Sequence, residues 1–360
     1  MVKAAVCREY GKPLMIEDIE VAAPQAGEVR VDIKACAICH SDIFYAEGEW
    51  GGQLPAVYGH EASGIVSTIG PGVRNVAVGD HVVVTLVRSC GECRCCSKGY
   101  HGSCESSFPL DANTPLKDAG GNDIVHGLRT GAFADTVVVD ASQVVAIDKD
   151  VPFESASLLA CGVITGLGAV INTARIEPGS DVIVIGTGGV GLNAVQGAAL
   201  AGARKIIALD LAEDKLEAAL DFGATHGLRA DSGDLIDQIM ELTGGRGADY
   251  IFVTVGAKRA FDQSYDMLAK GGALVLVGMP PEGVTSEYDI LTMANDTKRI
   301  LGSKMGSSNI HVDLPRLVEL YKQGRLKLDE LVTGRYPIEE INEAIAAVNR
   351  GEALRNVIVF

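Results

Sequence analysis

Residues 158–210 read LLACGVITGLGAVINTARIEPGSDVIVIGTGGVGLNAVQGAALAGARKIIALD, and this stretch decides the fold. The apolar, β-branched run Val182–Ile185 indicates a buried strand. It leads into a glycine-rich turn, a helix of small residues and a second apolar strand that ends at Asp210. The turn places its spaced glycines at Gly186, Gly188 and Gly191. Strand, glycine turn, helix, strand and acid in this order predict a dinucleotide-binding βαβ unit.

Asp210 predicts which dinucleotide binds. It ends the second strand about 20 residues after the glycine turn, where a carboxylate accepts hydrogen bonds from ribose hydroxyls and repels a 2′-phosphate. Leu211 and Ala212 supply no arginine that could bind such a phosphate, so the sequence favours NAD over NADP. The alternative role for Asp210 is a cap for the predicted helix Glu213–Phe222.

The composition is typical of a soluble α/β protein, with 47% hydrophobic residues and 43 glycines in 360 residues. A formal net charge of -16 opposes binding to nucleic acids and anionic membranes, so we expect a small-molecule partner. The first 30 residues carry several charges and show no secretory signal, which predicts a cytoplasmic protein. The apolar run Ala156–Ile171 is shorter than the roughly 18 residues that a membrane span needs, and Val182–Ala203 contains the glycine turn.

Strand patterns dominate the N-terminal part, and no helical period of any length occurs before about residue 150, so we expect an all-β region there. Alternating strands and helices then predict a parallel sheet. The predicted strands are Lys3–Cys7, Val29–Ala35, Glu61–Ile69, Ala134–Val139, Val144–Ile147, Tyr250–Val255 and Ala273–Val277, with Thr285–Ile290 and Arg299–Gly302 as outer strands. The predicted helices include Phe153–Leu159, Gly162–Ala174, Leu235–Thr243, Lys258–Leu268, Val312–Lys322 and Ile338–Asn349.

Nine cysteines occur, and the densest group has metal-ligand spacing. Cys90, Cys93, Cys96 and Cys104 form the pattern C-x2-C-x2-C-x7-C, which one loop can wrap around a tetrahedral zinc ion. Cys95 does not fit the repeat of three. Four thiolates leave no open position, so this site predicts a structural zinc; a redox or disulfide cluster is the alternative.

Two short segments carry further candidate ligands. One is Cys39-His40-Ser41-Asp42, and the other is Gly59-His60-Glu61. A single cysteine is usually a small buried hydrophobe, and a single histidine is often only hydrogen-bonded. By themselves these segments do not establish a metal site.

Taken together, these motifs resemble the zinc-containing medium-chain alcohol dehydrogenases. Cys39-x-Ser41-Asp42, His60-Glu61, the cysteine loop, Cys161 before the glycine turn and Arg355 before the last strand occur in that family's order. The resemblance implies a GroES-like, mainly-β catalytic domain over residues 1–162 and 306–360. It also implies a Rossmann NAD-binding domain, with a doubly wound parallel sheet, over residues 163–305.

The resemblance further implies a zinc-dependent oxidoreductase that interconverts an alcohol and an aldehyde or ketone, with two Zn²⁺ per chain. Cys39, His60 and Cys161 would bind the catalytic zinc. Ser41 would take the proton of the alcohol, Asp42 would orient His60, and Glu61 would lie behind the metal or bind it transiently. For Ser41, the alternative is a local turn or cap hydroxyl. Catalysis would take place where the two domains meet.

The remaining site residues are also implied by the resemblance. The coenzyme would contact His40, Gly186, Gly188, Gly189, Val190, Gly191, Asp210, Lys215, Val277 and Arg355. The substrate pocket would be lined by Trp50, Leu86, Pro109 and Phe133, which indicates an apolar alcohol. The family often has a histidine three residues after the serine, whereas this chain has Phe44, so the proton needs another exit.

The segment Asp111–Arg129 reads as a long polar loop. Its length resembles the dimeric branch of the family, so we expect a homodimer, with a tetramer as the alternative. The other functions that we weighed are a polyol- or threonine-type or other specialised zinc dehydrogenase, a zinc-free quinone reductase, and a non-catalytic binding protein that keeps the fold. The glutathione-dependent formaldehyde branch is disfavoured by Trp50 and Phe108.

Overall fold

The computed structural model describes residues 1–360, which form two compact units. Unit 1 comprises Met1–Gly162 and Asn309–Phe360, and unit 2 comprises Val163–Ser308. The strands are β1 (Val2–Cys7), β2 (Met15–Val21), β3 (Glu28–Ala37), β4 (Ala56–Val57), β5 (Glu61–Ile69), β6 (His81–Thr85), β7 (Leu116–Lys117), β8 (Asp123–His126), β9 (Thr136–Asp140), β10 (Val144–Ala146), β11 (Asp181–Ile185), β12 (Lys205–Asp210), β13 (His226–Arg229), β14 (Ala248–Val253), β15 (Leu268–Leu276), β16 (Arg299–Gly302), β17 (Val332–Pro337) and β18 (Arg355–Val359).

The α-helices are shorter and are joined in places by tighter or wider turns. They are α1 (His40–Glu47), α2 (Arg94–Ser97), α3 (Pro109–Ala112), α4 (Phe153–Leu158), α5 (Ile164–Gly168), α6 (Gly189–Leu200), α7 (Glu213–Asp221), α8 (Leu235–Leu242), α9 (Lys258–Ser264), α10 (Ile290–Asn295), α11 (Ile310–Lys322) and α12 (Ile341–Asn349).

Unit 1 is built from strands. β1, β2, β7, β8 and β4 close into a small barrel, and β10, β6, β5, β3, β18 and β17 form a sheet in that order, with β9 also paired to β3. One hydrophobic core contains residues from both, among them Ile33, Val57 and Phe133. Pairing aligns Ala37, at the end of β3, with Glu61 and with Val357. Because both pairs are antiparallel, the starts of β5 and β18 meet at the end of β3.

Unit 2 is a six-stranded parallel sheet in the order β13-β12-β11-β14-β15-β16. The order reverses on either side of β11, which is typical of a doubly wound sheet with helices on both faces. The apolar runs that predicted buried strands lie in its core; for example, Ile183 and Ile207 are 0% exposed. The glycine turn therefore lies at the carboxyl end of a central strand.

The expectation of an all-β region before residue 150 is wrong at one functionally important place. Helix α1 begins directly after Cys39 and ends at Gly48, whose φ of 83° closes the helix in the left-handed conformation. The helix has eight residues and buries only Asp42 and Ile43, so its sequence has almost no apolar period. Its start is determined instead by Asp42, whose carboxylate accepts a hydrogen bond from the Cys39 amide at 3.1 Å.

Two other segments also differ from expectation. Asp111–Arg129 is not only a loop, because β7 and β8 pair as a hairpin around Asp118, which accepts hydrogen bonds from the Gly120 and Asn122 amides. Thr285–Ile290 is not a strand; instead, Asp289 caps α10 by accepting hydrogen bonds from the Leu291 and Thr292 amides.

The two helices predicted at Phe153–Leu159 and Gly162–Ala174 form one continuous helix, Phe153–Ala174. It widens to π-helical turns at Leu159–Val163 and Ala169–Ala174. Its 22 residues are long and apolar enough to cross a membrane, so the length argument made from the sequence does not hold. However, 83% of the most apolar window is buried inside the protein, as in the core helix of a soluble protein.

Candidate active site

Asp42 connects the two segments that carry candidate ligands. Its Oδ2 accepts a hydrogen bond from the Cys39 amide, and its Oδ1 accepts one from the Gly59 amide at 2.9 Å. The same Oδ1 lies 2.9 Å from Nδ1 of His60. Asp42 is 2% exposed, so its charge is stabilised by these three donors. One carboxylate thus fixes the start of α1, the turn before β5 and the orientation of the His60 ring.

The structure brings Cys39, His60, Glu61 and Cys161 together in unit 1. One ligand atom from each lies within 4.8 Å of the others. Because Asp42 occupies Nδ1, the His60 ring presents Nε2, which is buried and has no hydrogen-bond partner. A buried nitrogen without a partner is costly unless it has a ligand, so this donor set fits a metal ion. Two thiols and an imidazole are a ligand set that zinc prefers.

The buried groups of this cluster shift one another's pKa. The hydrogen bond from Cys161 holds the pKa of Cys39 well below its usual value, and the same bond raises the pKa of Cys161. Burial acts to lower the pKa of His60, but the Asp42 carboxylate and the Cys39 sulfur outweigh it and raise that pKa. In the cluster as it stands, these shifts favour the thiolate form of Cys39, the neutral thiol of Cys161 and the protonated ring of His60.

Glu61 faces the cluster and is paired with an arginine that we did not predict to lie there. Nη2 of Arg355 is 2.5 Å from Oε2 of Glu61, and both side chains are buried. Burial raises the pKa of Glu61 to about 7, although the Arg355 charge opposes this. Burial alone would lower the pKa of Arg355, but the charge of Glu61 keeps it raised. Sequence offered no signal for this pair, which exists because both residues flank the end of β3.

Hydrogen bonds to the residues on either side of Cys161 fix its position. The hydroxyl of Thr85, at the end of β6, donates to the carbonyl oxygen of Ala160 at 2.6 Å. On the other side, the amide of Gly162 donates to Oε2 of Glu61 at 3.4 Å. Cys161 lies in the π-helical turn between these two contacts. Thr85 was missed by sequence reasoning, because a threonine that ends a strand has no distinguishing pattern.

The cysteine loop brings four sulfur atoms together. Ligand atoms of Cys90, Cys93, Cys96 and Cys104 lie within 4.8 Å of one another. The Cys90–Cys96 and Cys93–Cys104 sulfur distances are 4.0 and 3.9 Å. A tetrahedral zinc with Zn–S bonds of about 2.3 Å needs sulfur atoms about 3.8 Å apart, so the set fits a zinc ion. No disulfide forms, and Cys95 lies outside the group.

Hydrogen bonds to sulfur lower the pKa of Cys90 and Cys93 in this loop, whereas burial raises the pKa of Cys96. The amides of Cys93 and Cys96 donate to the sulfur atoms of Cys90 and Cys93 at 3.2 and 3.4 Å. A hydrogen bond from the side chain of Ser106, followed by those from the backbone of Cys93 and Glu92, lowers the pKa of Cys90 to about 6. Amides of a short-spaced loop therefore help to prepare the site for a metal ion.

In unit 2, the glycine turn has the geometry that its spacing predicted. Gly186 has a φ of 87°, and Gly188 is the N-cap of α6. A Cβ at Gly191 would lie 1.8 Å from the carbonyl oxygen of Gly186, so only glycine allows this approach. Gly189 and Val190 are the first residues of α6, and the backbone amides of a helix N-terminus can bind an anion.

Asp210 connects the glycine turn to the end of β12 through hydrogen bonds. Its Oδ2 accepts hydrogen bonds from the amide and hydroxyl of Thr187 at 2.7 and 3.0 Å. Its Oδ1 accepts from the amides of Leu211 and Ala212 at 2.7 and 3.2 Å. The N-cap of α7 is Ala212, so Asp210 is not the cap of that helix.

The other predicted coenzyme residues are spread over both units. In unit 2, Lys215 lies in the first turn of α7, and its carbonyl accepts from the Thr187 hydroxyl at 3.2 Å. Val277 follows β15 and is 8% exposed. In unit 1, His40 is the exposed first residue of α1, and Arg355 contacts Glu61. The coenzyme roles of these residues stay predictions.

Of the four predicted pocket residues, three have exposed surface in unit 1. The Trp50 ring lies edge-on against Phe44 and Tyr45, with centroids 5.2 and 5.4 Å apart. Leu86 directly follows Thr85, and Pro109 opens α3. Phe133 differs: it is 1% exposed and belongs to the hydrophobic core, so it cannot line an open pocket in this conformation. Ser41, in α1, is half-exposed.

The comparisons with known proteins agree with this architecture. Residues 25–149 match the alcohol dehydrogenase GroES-like domain, and residues 189–323 match the zinc-binding dehydrogenase domain. The chain is 37% identical to the NDMA-dependent alcohol dehydrogenase of Amycolatopsis methanolica, over 99% of this chain and 98% of that protein. It is 38% identical to alcohol dehydrogenase B of Mycobacterium tuberculosis, over 99% and 98%. The crystal structure of benzyl alcohol dehydrogenase from Acinetobacter calcoaceticus superimposes with a TM-score of 0.93 at 34% identity, covering 100% of this chain and 99% of that one.

A GroES-like unit combined with a Rossmann-like unit defines the class as a zinc-binding dehydrogenase. The chain belongs to the zinc-containing medium-chain alcohol dehydrogenase family. It is therefore an oxidoreductase, and the predicted fold class is confirmed.

Proposed function

We propose that this enzyme oxidises an alcohol to an aldehyde or ketone, or performs the reverse reaction, with NAD as coenzyme and two zinc ions per chain. The observation that carries the proposal is the cluster of Cys39, His60 and Cys161, in which the buried Nε2 of His60 has no partner. These three residues would hold the catalytic zinc, and Cys90, Cys93, Cys96 and Cys104 would hold the structural one. When bound by three protein ligands, zinc supplies an open position and Lewis acidity toward the substrate oxygen.

The chain's own groups would orient the ligands and move the proton. Asp42 keeps Nδ1 of His60 protonated, so that Nε2 remains available as a ligand. The Ser41 hydroxyl, two residues after Cys39, would take the alcohol proton. Phe44, which packs against Trp50, offers no proton acceptor, so the proton leaves Ser41 by another route.

NAD is the coenzyme that the residues of unit 2 favour. The turn at Gly186–Gly191 supports pyrophosphate binding, and the carboxylate of Asp210 would repel a 2′-phosphate. A second possibility concerns the final electron acceptor. A relative of 37% identity is named for its dependence on NDMA, so NDMA belongs in the assay beside free NAD.

An aromatic alcohol is the substrate class that we infer first. Phe44, Tyr45 and Trp50 form an aromatic group at and after α1, the helix that carries Ser41. Edge-to-face contacts with aromatic rings favour an aromatic ligand. A structural relative of 34% identity is a benzyl alcohol dehydrogenase.

The test combines metal analysis with turnover. Purified enzyme should contain about two zinc ions per chain and should reduce NAD with benzyl alcohol, followed by NADH absorbance. The panel should include ethanol, a secondary alcohol, a polyol, threonine, NADP in place of NAD, and NDMA as acceptor. Fewer than two zinc ions, or no alcohol-dependent reduction of either NAD or NDMA, would overturn the proposal. Preference for a polyol or threonine would favour the specialised dehydrogenases.

We also propose that the enzyme is a cytoplasmic homodimer. Support for a dimer comes from unit 2, where Ile290 and Leu291, the first residues of α10, are 81% and 77% exposed and β16, the next element in the chain, is the last strand of the sheet. Large apolar side chains exposed to this degree are typical of an interface between protein chains, and so is an edge strand.

A further inference from the structure

Arg88 is the largest fully buried side chain of the protein, and it lies two residues before the first cysteine of the cysteine loop. A guanidinium cannot lose its charge under ordinary conditions, so burial requires several acceptors. Arg88 is 2% exposed, and each of its three guanidinium nitrogens donates a hydrogen bond within unit 1. Burial of this charge indicates a specific role, because an apolar residue of similar size would cost less.

The acceptors come from three separate segments. Nε of Arg88 donates to Oε1 of Gln143 at 2.7 Å, and Nη1 donates to Oδ1 of Asp111 at 2.9 Å. Nη2 donates to the carbonyl oxygen of Arg129 at 3.1 Å. The guanidinium carbon also lies 5.5 Å from the centroid of the Phe108 ring. Such a fork holds its partners in one geometry, which a flexible ammonium does not.

One of these acceptors determines the position of α3. While Oδ1 of Asp111 accepts from Arg88, its Oδ2 accepts from the amide of Phe108, the N-cap of α3, at 2.9 Å. Pro109, the first residue of α3, is a predicted pocket residue. A four-residue helix has no stability of its own, so its place depends on the contacts of Asp111 with Arg88 and, at 3.6 Å, with Nε of Arg129.

A second acceptor belongs to a strained turn. Leu128 and Arg129 have φ values of 50° and 61°, which residues other than glycine rarely adopt. The carbonyl of Arg129 accepts from both Arg88 and Nε2 of Gln143, the latter at 3.0 Å. Gln143 is 0% exposed and also donates to the carbonyl of Thr85 at 2.8 Å. The network therefore includes Thr85, the last residue of β6, whose hydroxyl donates to the carbonyl of Ala160 next to Cys161.

We propose that Arg88 is a positioning and specificity-determining residue, which holds the segment Phe108–Ala112 in place as a wall of the alcohol-binding site. The inference rests on the proposed function, including the predicted pocket role of Pro109, for its kinetic consequence. The position of the segment itself can be measured without turnover. Without Arg88, the Phe108–Ala112 wall and the Leu128–Arg129 turn lose their common hydrogen-bond donor, and the alcohol loses contact with the wall.

The experiment uses the zinc-loaded, full-length enzyme and the variants R88M, R88K and D111N. The control is R204M, which removes one partner of the buried carboxylate Asp181 in unit 2. Amide hydrogen exchange, followed by mass spectrometry, should rise at residues 108–112 and 127–130 by on the order of tenfold in R88M and D111N. R88K should give a partial rise, because an ammonium cannot reach all three acceptors. R204M should leave these peptides unchanged.

Kinetics then test the specificity. In R88M and D111N, KM for the alcohol should rise about tenfold while kcat changes less than about threefold and KM for NAD stays the same. Amide hydrogen exchange that is unchanged at 108–112, or that rises evenly across unit 1, would overturn the proposal. A fall in kcat as large as the rise in KM would overturn it as well. If R88M does not fold, the D111N variant tests the proposal instead, because the Asp111 side chain is partly exposed. A wild-type enzyme without alcohol turnover would refute the proposed function, while the exchange data would still test the position of the wall.

Discussion

At the scale of single residues, the carboxylate of Asp42 connects two sequence motifs, because it binds Cys39 in one and Gly59 and His60 in the other. We expect Asp42→Asn to lower the affinity for the catalytic zinc by about 10- to 100-fold, since the amide cannot accept all three hydrogen bonds as a carboxylate does. Metal content after dialysis against graded chelator measures this. The structural zinc should remain.

A matched control is Asp32→Asn. Asp32 also accepts side-chain hydrogen bonds in unit 1, from Ser67 and Thr136, but it does not contact the ligand segments. Its variant should keep both zinc ions under the same conditions. Equal loss of zinc from the two variants would show that Asp42 acts on general stability and not on the ligands.

His126 gives a pH-dependent contribution to stability. Burial, followed by the charge of Arg88, lowers its pKa from 6.5 to about 4, and Nε2 donates to the carbonyl of Thr130. Between these two pH values the unfolded chain binds a proton that the native chain does not, so stability falls as pH drops from 6.5 to 4. The loss for this one group is about 3 kcal/mol.

The variant His126→Gln keeps a donor for Thr130 but cannot titrate. The difference in free energy of unfolding between wild type and this variant, measured by denaturant titration from pH 7.5 to 4, should change by about 3 kcal/mol. His226→Gln, at a half-exposed histidine on β13, is the control for the substitution itself. If the free energy of unfolding had the same pH dependence in wild type and in His126→Gln, this would contradict a buried, neutral His126.

At the scale of elements, the cysteine loop allows a comparison between neighbouring residues. Cys96 has its sulfur 4.0 Å from that of Cys90, whereas Cys95 lies outside the group of four. We expect Cys96→Ser to retain about one zinc ion per chain and Cys95→Ser about two, because a tetrahedral thiolate site needs its fourth ligand. Elemental analysis of the purified variants measures this. Loss of zinc from Cys95→Ser alone would reverse our assignment of ligands.

The elements also show why some predictions succeeded. β11, the glycine turn, α6 and β12 followed from spacing, because the requirements of the turn are local: a Cβ at Gly191 would collide with Gly186. The helix α1 was missed because its start depends on a side-chain hydrogen bond and its burial is slight. Thr285–Ile290 looked extended, but the capping carboxylate of Asp289 starts a helix there.

At the scale of the whole molecule, the property that we predict is the oligomeric state. We expect a homodimer in sedimentation analysis, and Leu291→Asp should convert it to a monomer, because this apolar side chain of α10 is 77% exposed. Val78→Asp, at an apolar residue of unit 1 that is 62% exposed, should leave the dimer intact. A monomeric wild type, or a dimer that tolerates Leu291→Asp, would refute this interface.

By itself, the sequence determined the dinucleotide-binding unit, the grouping of four cysteines without Cys95, and the order of motifs that identifies the family. Each depends on neighbours in the chain, where spacing alone decides which atoms can meet. Only the tertiary structure decided that Arg355 pairs with Glu61 and that Arg88 holds Asp111. Phe133 likewise became a core residue only in the folded unit. These outcomes depend on the antiparallel pairing of β3 with β5 and β18 and on the burial of an unavoidable charge, neither of which leaves a pattern in the local sequence.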